Sequence, residues 1–379
     1  MSENTTVGGH YRDLLLTHAK DLIRIDSSNP PGEEKAVADY CADAMAALGL
    51  DVSIMRMEGT GHYNVTGTLK GRSAGLALCG HMDVVPAGEG WTKDPFSPIV
   101  QDGKLYGRGS CDMKGALAAM LTAARVALDH GYNEKRGFSL CFTGDEEDVC
   151  KGAIDLVKNR EYRPVAAIVG EPTELAIHTG TKGYSQYLIR TNGTAAHASQ
   201  PENGDNAIYK MARAIHALEE YAREVRSRSH PALGAASFNI GTVHGGTKVN
   251  VVPCYCEADT EYRLLPGDTA QRAVQEMTER TGGIAEIDII QEHPAVFIEE
   301  AHPLVQAMVE AFRSETGKKA ELGVFPAFSE MGIYQQGWGV PALLFGPGSI
   351  NLAHKPDEYV PLEELYVAAG VYARLLAMD

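Results

Sequence analysis

The chain has 379 residues, 44% of them hydrophobic and 22% charged, which is typical of a folded globular protein and not of a disordered or fibrous one. Its 50 acidic and 34 basic residues give a formal net charge of -16 at pH 7, which disfavours nucleic acid and anionic membranes as partners. The length exceeds that of a usual single hydrophobic core, so we expect two domains.

The N-terminal region predicts two helices separated by a Pro-rich loop. Residues 10–25 place apolar side chains at helical spacing, and the segment SSNPPG at 27–32 ends that pattern. A second helix is predicted for residues 33–48, followed by a short amphipathic strand. The first twenty residues mix charges into the apolar pattern, and the seven cysteines lack the spacing of a structural zinc site. We therefore expect a cytoplasmic protein with no signal peptide and no membrane span.

Short apolar runs in the remaining chain predict buried strands at residues 76–79, 138–142, 165–169 and 342–345. Between the first two lies an apolar helix predicted for residues 114–130. Alternating strands and helices favour an α/β fold with a mixed, mostly parallel sheet flanked by helices. Ligands of such folds gather at the carboxyl ends of the strands.

The segment 182–294 has a different pattern and predicts an α+β domain of its own. Its predicted strands and helices are strands at 184–190, 236–242 and 250–262 and helices at 206–225 and 269–281. Because patterns like those of the first part resume after His302, we expect a smaller domain inserted into a larger one made of residues 1–181 and 295–379.

Side chains that can bind a metal follow three of the four predicted buried strands: His81, Asp83, Asp145, Glu146, Glu147 and Glu171. Asp112 and His354 lie in loop-like segments. Taken singly, each has an ordinary reading as a solvated turn residue or a structural histidine. Together, imidazoles and carboxylates at the mouths of neighbouring strands are the side chains of a carboxylate-rich site for two metal ions.

The chemistry of a two-metal site suggests a role for each of these side chains. Two divalent ions need an anionic bridge, and Asp112 is the natural candidate, with His81 and His354 capping the two ions. The adjacent Glu146 and Glu147 fit a division into general base and ligand. Asp83 is a candidate partner for the second nitrogen of His81, although an unrelated surface aspartate is the equal alternative on spacing alone.

These residues belong to ordered motifs: GHMDVVP at 80–86, GRGSCDMKG at 107–115, GDEE at 144–147, GEPT at 170–173, GPGSI at 346–350 and HKPDEY at 354–359. Together with SNPPG at 28–32 they resemble the signatures of a metallopeptidase family. That family comprises acetylornithine deacetylases, succinyl-diaminopimelate desuccinylases, aminoacylases and carboxypeptidase G. The resemblance covers nearly the whole chain.

The resemblance implies a particular arrangement of two zinc ions, with Co²⁺ or Mn²⁺ as alternatives. It implies that His81 and Glu171 bind one ion, that Glu147 and His354 bind the other, and that Asp112 bridges them. It further implies that Glu146 is the general base and that the reaction is amide hydrolysis without a covalent intermediate.

The resemblance also implies a lid domain through which two copies dimerise. In the motif GTAAHAS at 193–199, His197 would donate to the substrate carbonyl oxygen from the partner subunit, with an ordinary loop histidine as the alternative. Asn250 and Arg263 resemble residues that bind the substrate's α-carboxylate, with ordinary strand residues as the alternative. Gly348 is a further candidate substrate-binding position.

The C-terminal motifs are nearest to the acetylornithine deacetylase branch, which predicts a small N-acylated amino acid as the substrate. The segment FSEMG at 328–332 departs from the desuccinylase pattern. Glu330 within it is interpreted as a solvated loop residue, with pairing to a basic substrate side chain as the alternative. Cys111 is a conceivable nucleophile but is interpreted as a packed small side chain.

The alternatives for the whole protein remain a desuccinylase, a dipeptidase or carboxypeptidase with the same site, and a non-catalytic relative that binds a small molecule. The acyl group and the amino-acid side chain of the substrate stay open at this point.

Overall fold

The computed structural model describes residues 7–69, 73–130, 136–158 and 163–378. These residues divide into two compact units. The first comprises the described residues of Met1–Gly180, Ile298–Phe325 and Ser329–Asp379, and the second comprises Thr181–Phe297 and Pro326–Phe328. The sequence placed the inserted segment at residues 182–294, without the return of Pro326–Phe328 to the second unit.

The part of the first unit that precedes the second contains, in chain order, α1 (His10–Arg24), α2 (Lys35–Ala47), β1 (Asp51–Arg56), β2 (Tyr63–Leu69), β3 (Ser73–His81), β4 (Ile99–Gln101), β5 (Lys104–Tyr106), α3 (Lys114–Asp129), β6 (Arg136–Thr143), α4 (Lys151–Lys158), β7 (Ala166–Val169) and β8 (Ile177–Thr181).

The second unit contains β9 (Tyr184–Asn192), a 3₁₀ turn (Pro201–Asn203), α5 (Ala207–Ser227), β10 (Ser229–His230), β11 (Gly234–Ala235), β12 (Ser237–Gly245), β13 (Tyr255–Arg263), α6 (Ala270–Arg280), β14 (Glu286–His293) and β15 (Val296–Phe297). The returning part of the first unit contains α7 (Pro303–Thr316), β16 (Leu322–Phe325), α8 (Met331–Trp338), β17 (Ala342–Leu344), β18 (Tyr359–Pro361) and α9 (Leu362–Ala377).

The main sheet of the first unit runs in the order β1-β2-β6-β3-β7-β17-β8, with β16 pairing to β8. Strand β3 is parallel to β6 and β7, and β17 is parallel to β7, whereas β1, β2 and β8 pair antiparallel. The strands β6 and β7 are buried almost throughout, as continuous apolar runs in a two-sided sheet should be. The predicted α/β fold with a mixed, largely parallel sheet is confirmed.

Helices cover this sheet because their apolar faces need burial. Helix α3 is buried over nearly its whole length and packs against α1 and α9. The predicted helices at 10–25, 33–48 and 114–130 correspond to α1, α2 and α3. Among the described helices, none is long and apolar enough to cross a membrane.

The second unit is built on an antiparallel sheet in the order β12-β13-β9-β14, with α5 and α6 packed on it. Alternating burial along β9 and β13 shows that one face of the sheet lies against the helices. The predicted strand 250–262 was too long, since β13 begins only at Tyr255. Pro253 has no N–H to donate to a ladder, and the backbone N–H of Val251 instead donates to the carbonyl oxygen of Lys248 within a turn.

Candidate metal centre

The candidate site lies where three neighbouring strands of the first unit end. His81 is the last residue of β3, Glu146 and Glu147 follow β6, and Glu171 follows β7. Since β6, β3 and β7 are adjacent and parallel, their carboxyl ends meet at one edge of the sheet. The topology therefore gathers side chains that are far apart in the sequence.

Asp112 lies between two imidazoles and uses a different oxygen for each. Its Oδ1 is 3.1 Å from Nε2 of His81, and its Oδ2 is 3.5 Å from Nε2 of His354. Nε2 of His354 is also 3.1 Å from Oε2 of Glu147. The ligand atoms of His81, Asp112 and Glu147 lie within 4.8 Å of one another. This spacing is compatible with metal coordination.

Two further carboxylates complete the cluster. Glu171 is only 4% exposed, and Oε2 of Glu146 lies 3.9 Å from Nε2 of His81. Burial raises the pKa of Glu171 well above its ordinary value, and the charges of Asp112 and Glu147 raise it further. Burial likewise raises the pKa of Glu146, with Glu171 and Glu147 adding to the shift. The pKa values of these carboxyl groups are raised because several negative charges would lie close together in a buried position.

The pKa values of the two histidines are also raised, but the cause is their contacts with carboxylates and not burial. Burial lowers the pKa of His81, but its contacts with Asp112 and Asp83 outweigh that effect and hold the pKa well above the ordinary value. Hydrogen bonds with Asp112 and Glu147 raise the pKa of His354 to about 10. The cluster therefore attracts positive charge strongly.

The donor set fits two divalent cations. Nδ1 of His81 lies 2.9 Å from the backbone oxygen of Asp83, to which it can only donate, so Nε2 is the nitrogen that could offer its lone pair to a metal ion in place of a proton. Four carboxylates, those of Asp112, Glu146, Glu147 and Glu171, then face two neutral imidazoles, a balance that two dications would offset. A set of imidazole and carboxylate ligands suits zinc, manganese and cobalt.

Asp83 is fully buried and organises the residues around it. Its carboxylate accepts the backbone N–H groups of Glu146 at 3.2 Å and of Glu147 at 3.1 Å. The sequence suggested that the Asp83 side chain holds the ring of His81. The structure places Nδ1 nearer to the Asp83 backbone oxygen than to its carboxylate, which is 3.6 Å away. The side chain therefore serves chiefly the turn that carries the two glutamates.

Gly348 occupies a position that requires glycine. Its φ is +86°, and a Cβ there would lie 2.5 Å from Sγ of Cys111. Its N–H donates to Oε2 of Glu364 at 2.7 Å, and its carbonyl oxygen accepts from the N–H of Glu174 at 2.7 Å. The loop 346–350 is thus fixed against the segment that follows Glu171.

The structure decides between the alternative interpretations of Glu330 and of Cys111. Glu330 is fully buried and accepts hydrogen bonds from the hydroxyls of Thr143 and Tyr334 at 2.9 Å, so its interpretation as a solvated loop residue was wrong. The cause is the packing of α8 against β7, β17 and α4, which an isolated motif does not reveal. Cys111 is buried, and burial raises the pKa of its thiol well above the ordinary value, as expected for a packed side chain and not for a nucleophile.

The second unit carries the other predicted substrate contacts. His197 is exposed, and its Nδ1 accepts the backbone N–H of Ser199 at 3.2 Å, which leaves the ring proton on Nε2. Asn250 is exposed and lies in the turn before β13, not in a strand ladder. Arg263 ends β13, donates from Nε to Glu261 at 2.6 Å and stacks over Tyr184 at 4.9 Å.

The sequence analysis missed the residues that hold the loop of Asp112 in place. Glu358 accepts backbone N–H groups of Gly109, Cys111 and Asp112 and pairs with the buried Arg108. Glu358 does belong to the motif HKPDEY, which was the available signal, but nothing in the motif tells which loop the side chain would reach.

The fold and the site define a metal-dependent hydrolase with an α/β body and a carboxylate–imidazole centre suited to two ions. A model of the family described as "Peptidase family M20/M25/M40" matches residues 77–378. The chain belongs to this family. The predicted family resemblance and the predicted class of enzyme are confirmed.

Individual relatives extend the comparison. Acetylornithine deacetylase of Photorhabdus laumondii is 34% identical, with 97% of this chain and 95% of the relative covered. The structure of a tripeptidase from Staphylococcus aureus superimposes with a TM-score of 0.77 at 23% identity, over 97% of this chain and 98% of that one. A dinuclear metal-binding M20 peptidase from Bacillus subtilis has a TM-score of 0.73 at 18% identity, over 97% and 98% of the two chains. The two structural likenesses show the common fold.

Proposed function

We propose that this enzyme hydrolyses the amide bond of an N-acyl-L-amino acid, in the manner of an acetylornithine deacetylase. The observation that carries the proposal is the placement of Asp112 between the imidazoles of His81 and His354, with Glu146 and Glu147 beside them. The 34% identity to the Photorhabdus acetylornithine deacetylase supports the choice of substrate class.

The proposed cofactor is a pair of Zn²⁺ ions, with Co²⁺ or Mn²⁺ as alternatives in vitro. In this assignment His81 and Glu171 would hold one ion, Glu147 and His354 would hold the other, and Asp112 would contribute to both. When bound, the ions would polarise the scissile carbonyl and make a nucleophilic water available near neutral pH. The position of each Asp112 oxygen toward a different imidazole supports the bridging role.

Glu146 is the proposed general base. It takes a proton from the attacking water as the water oxygen bonds to the carbonyl carbon, and it returns that proton to the amine nitrogen as the C–N bond breaks. The second proton of the water stays with the products, which are a carboxylic acid and an amine and at neutral pH become a carboxylate and an ammonium ion. Support comes from the small exposure of the Glu146 side chain, 11%, and from Asp83, which holds its backbone N–H. A sheltered base loses fewer protons to bulk solvent.

The second unit is the proposed source of three substrate contacts. His197 would donate from Nε2 to the developing oxyanion, and the hydrogen bond from Ser199 to Nδ1 supports that tautomer. Arg263 and Asn250 would hold the α-carboxylate, since a guanidinium offers further N–H groups beyond the Nε that binds Glu261. Gly348 in the first unit is proposed to border the substrate.

We further propose a homodimer formed through the second unit, in the cytoplasm. Strand β12 is the edge of its sheet and carries the exposed Val243, and the turn before β13 carries Val249, which is 97% exposed. Ile208 and Tyr209 on α5 add further exposed apolar surface. Seven free cysteines support a reducing compartment. Sedimentation at several concentrations tests the dimer.

A substrate panel tests the proposed reaction. Metal-free and zinc-restored enzyme would be assayed for amine release from N-acetyl, N-succinyl and other N-acyl amino acids and from dipeptides. Zinc-dependent cleavage of the N-acetyl class supports the proposal. Cleavage confined to N-succinyl compounds or to dipeptides would instead identify a desuccinylase or a peptidase. No cleavage by the zinc-loaded enzyme would favour a non-catalytic binding protein.

A further inference from the structure

The turn that carries Glu146 and Glu147 begins with a residue in an unusual conformation. Asp145 has a φ of +66°, in the left-handed region that residues other than glycine rarely adopt. Such a conformation persists only where surrounding contacts hold it. Its direction decides where the next two side chains point, so the contacts of Asp145 bear directly on the site.

Both the backbone and the side chain of Asp145 are held. Its N–H donates to Oε1 of Glu34 at 3.0 Å, and its Oδ2 accepts the backbone N–H of Lys151 at 3.2 Å. Its Oδ1 accepts from the amide of Asn29 at 3.1 Å and lies 3.3 Å from Nε2 of His62. Asp145 is 2% exposed, so these contacts are sheltered from water.

His62 links Glu34 to Asp145. Its Nδ1 lies 2.7 Å from Oε1 of Glu34, and its Nε2 lies 3.3 Å from Oδ1 of Asp145. The side chains of His62, Glu34 and Asp145 are 12%, 0% and 3% exposed. Each ring nitrogen thus lies within hydrogen-bonding distance of a different carboxyl group. Burial lowers the pKa of His62, but the hydrogen bond and charge of Glu34 and the charge of Asp145 raise it overall.

Two glycines leave the space that this arrangement occupies. A Cβ on Gly32 would lie 2.1 Å from Cε1 of His62, and a Cβ on Gly144 would lie 1.7 Å from Oε2 of Glu34. Neither distance is possible for real atoms, so both side chains fit only because these two positions have none. The positions of the His62 and Glu34 side chains therefore depend on glycine at both residues.

The same group of contacts reaches the proposed metal centre through Asn29. Its amide donates to Oδ1 of Asp145 and, at 3.0 Å, to Oδ2 of Asp83. Asp83 in turn accepts the N–H groups of Glu146 and Glu147. Asn29 thus contacts both Asp145, where the turn starts, and Asp83, which holds the backbone N–H groups of Glu146 and Glu147.

We propose that His62, together with Glu34, is a positioning residue that holds the Asp145 turn so that Glu146 and Glu147 keep their places in the metal centre. His62 touches neither substrate nor metal in this assignment and acts through Asp145. The proposal rests on the proposed function for the role of Glu146, while the placement of Glu147 as a ligand is open to a separate measurement.

The test compares His62→Gln with a matched control. His18→Gln removes another partly buried histidine of the first unit, whose Nδ1 is 2.8 Å from the hydroxyl of Tyr40 on α2. Zinc titration of the metal-free proteins gives the affinity and number of ions, and steady-state kinetics on the folded fraction give kcat and KM. Glu34→Gln alters the partner of His62 in the same contact. This variant replaces His62→Gln in the test if His62→Gln does not fold.

We expect His62→Gln and Glu34→Gln to lower zinc affinity or kcat by about 10- to 100-fold, the range for residues that orient metal ligands, with KM within about twofold. His18→Gln should change neither quantity per folded molecule. Equal zinc affinity and equal kcat for His62→Gln and His18→Gln would overturn the positioning role. If even the wild-type protein cleaves no amide of the panel, the proposed function fails, and the zinc titration alone decides the proposal.

Discussion

Glu358 accepts the backbone N–H of Asp112 with Oε1, at an N–O distance of 3.1 Å. The same oxygen accepts the N–H of Cys111 at 2.8 Å, and the other oxygen pairs with the buried guanidinium of Arg108. A single carboxylate 250 residues along the chain from Arg108 therefore fixes the loop that presents the proposed bridging ligand.

Replacing Glu358 with Gln should destabilise the first unit by about 3 kcal/mol, because it leaves the charge of Arg108 buried without its counter-ion. Denaturant unfolding measures this change. The control is Glu363→Gln, whose side chain is 74% exposed and 3.8 Å from Arg12, and which should cost less than about 1 kcal/mol. Equal stability of the two variants would show that the Arg108 pair is not essential to the loop.

Glu146→Gln should bind both ions but lose about 10²- to 10⁴-fold in kcat, since the amide cannot accept the proton of the attacking water. Metal analysis and kinetics on the same sample measure the two properties together. Glu147→Gln is the matched control and should lose metal as well as activity. An active Glu146→Gln enzyme would remove Glu146 from the role of base.

Asp112→Ala should release both ions together, because each oxygen of this carboxylate faces a different imidazole. Elemental analysis after gel filtration gives the stoichiometry. Retention of one ion at wild-type affinity would contradict the bridging assignment. His354→Ala, which removes a side chain that is 52% exposed, should weaken one ion more than the other.

His197→Ala should lower kcat by about 10²- to 10³-fold with a smaller effect on KM, as expected on removal of an oxyanion donor. The exposed His216 on α5 provides a control substitution to Ala in the same unit. A change confined to KM would make His197 a substrate-binding residue and not an oxyanion donor.

His293 predicts acid sensitivity of the second unit. It is 2% exposed, its ring lies 4.4 Å from that of Phe328, and burial lowers its pKa to about 4. The unfolded chain, with a histidine pKa of about 6.5, binds the proton first as the pH falls. Stability is therefore fully present above about pH 6.5 and decreases between pH 6.5 and 4.

From pH 7 to 5 this loss should amount to about 2 kcal/mol. Denaturant unfolding at both pH values measures it, and His293→Gln, which does not titrate, should show a pH dependence smaller by that amount. An unchanged pH dependence would mean that other groups cause the acid sensitivity.

The sequence predicted the parts of the fold in which local pattern and tertiary environment agree. The apolar runs of β3, β6, β7 and β17 and the apolar helix α3 are buried on several sides, so their composition alone indicates their place. The start of β13 was misplaced because Val251 and Val252 look like strand residues, whereas Val251 pairs only in an isolated bridge with His197 and β13 begins after Pro253.

The candidate site was predicted where chemistry dictates residue type. His81, Asp112 and Glu147 were recognisable because few side chains bind metals and each follows a strand or lies in a motif. Glu330 was misjudged because its buried position depends on tertiary packing, including a hydrogen bond from Thr143, 187 residues away in the sequence. The links from Glu34 and His62 to Asp145 were missed for the same reason.

The steric fit of Gly32 against His62 and of Gly144 against Glu34 also constrains how this chain can evolve. A side chain at either glycine position requires that its larger neighbour has shrunk first, and at Gly32, whose φ is +75°, it remains strained even then. The reverse order of substitutions passes through a protein that cannot close around the turn. Among natural variants, we therefore expect each glycine to be replaced only in sequences in which His62 or Glu34, its larger neighbour, has already been replaced by a smaller residue. The two pairs would then record the order in which these substitutions arose.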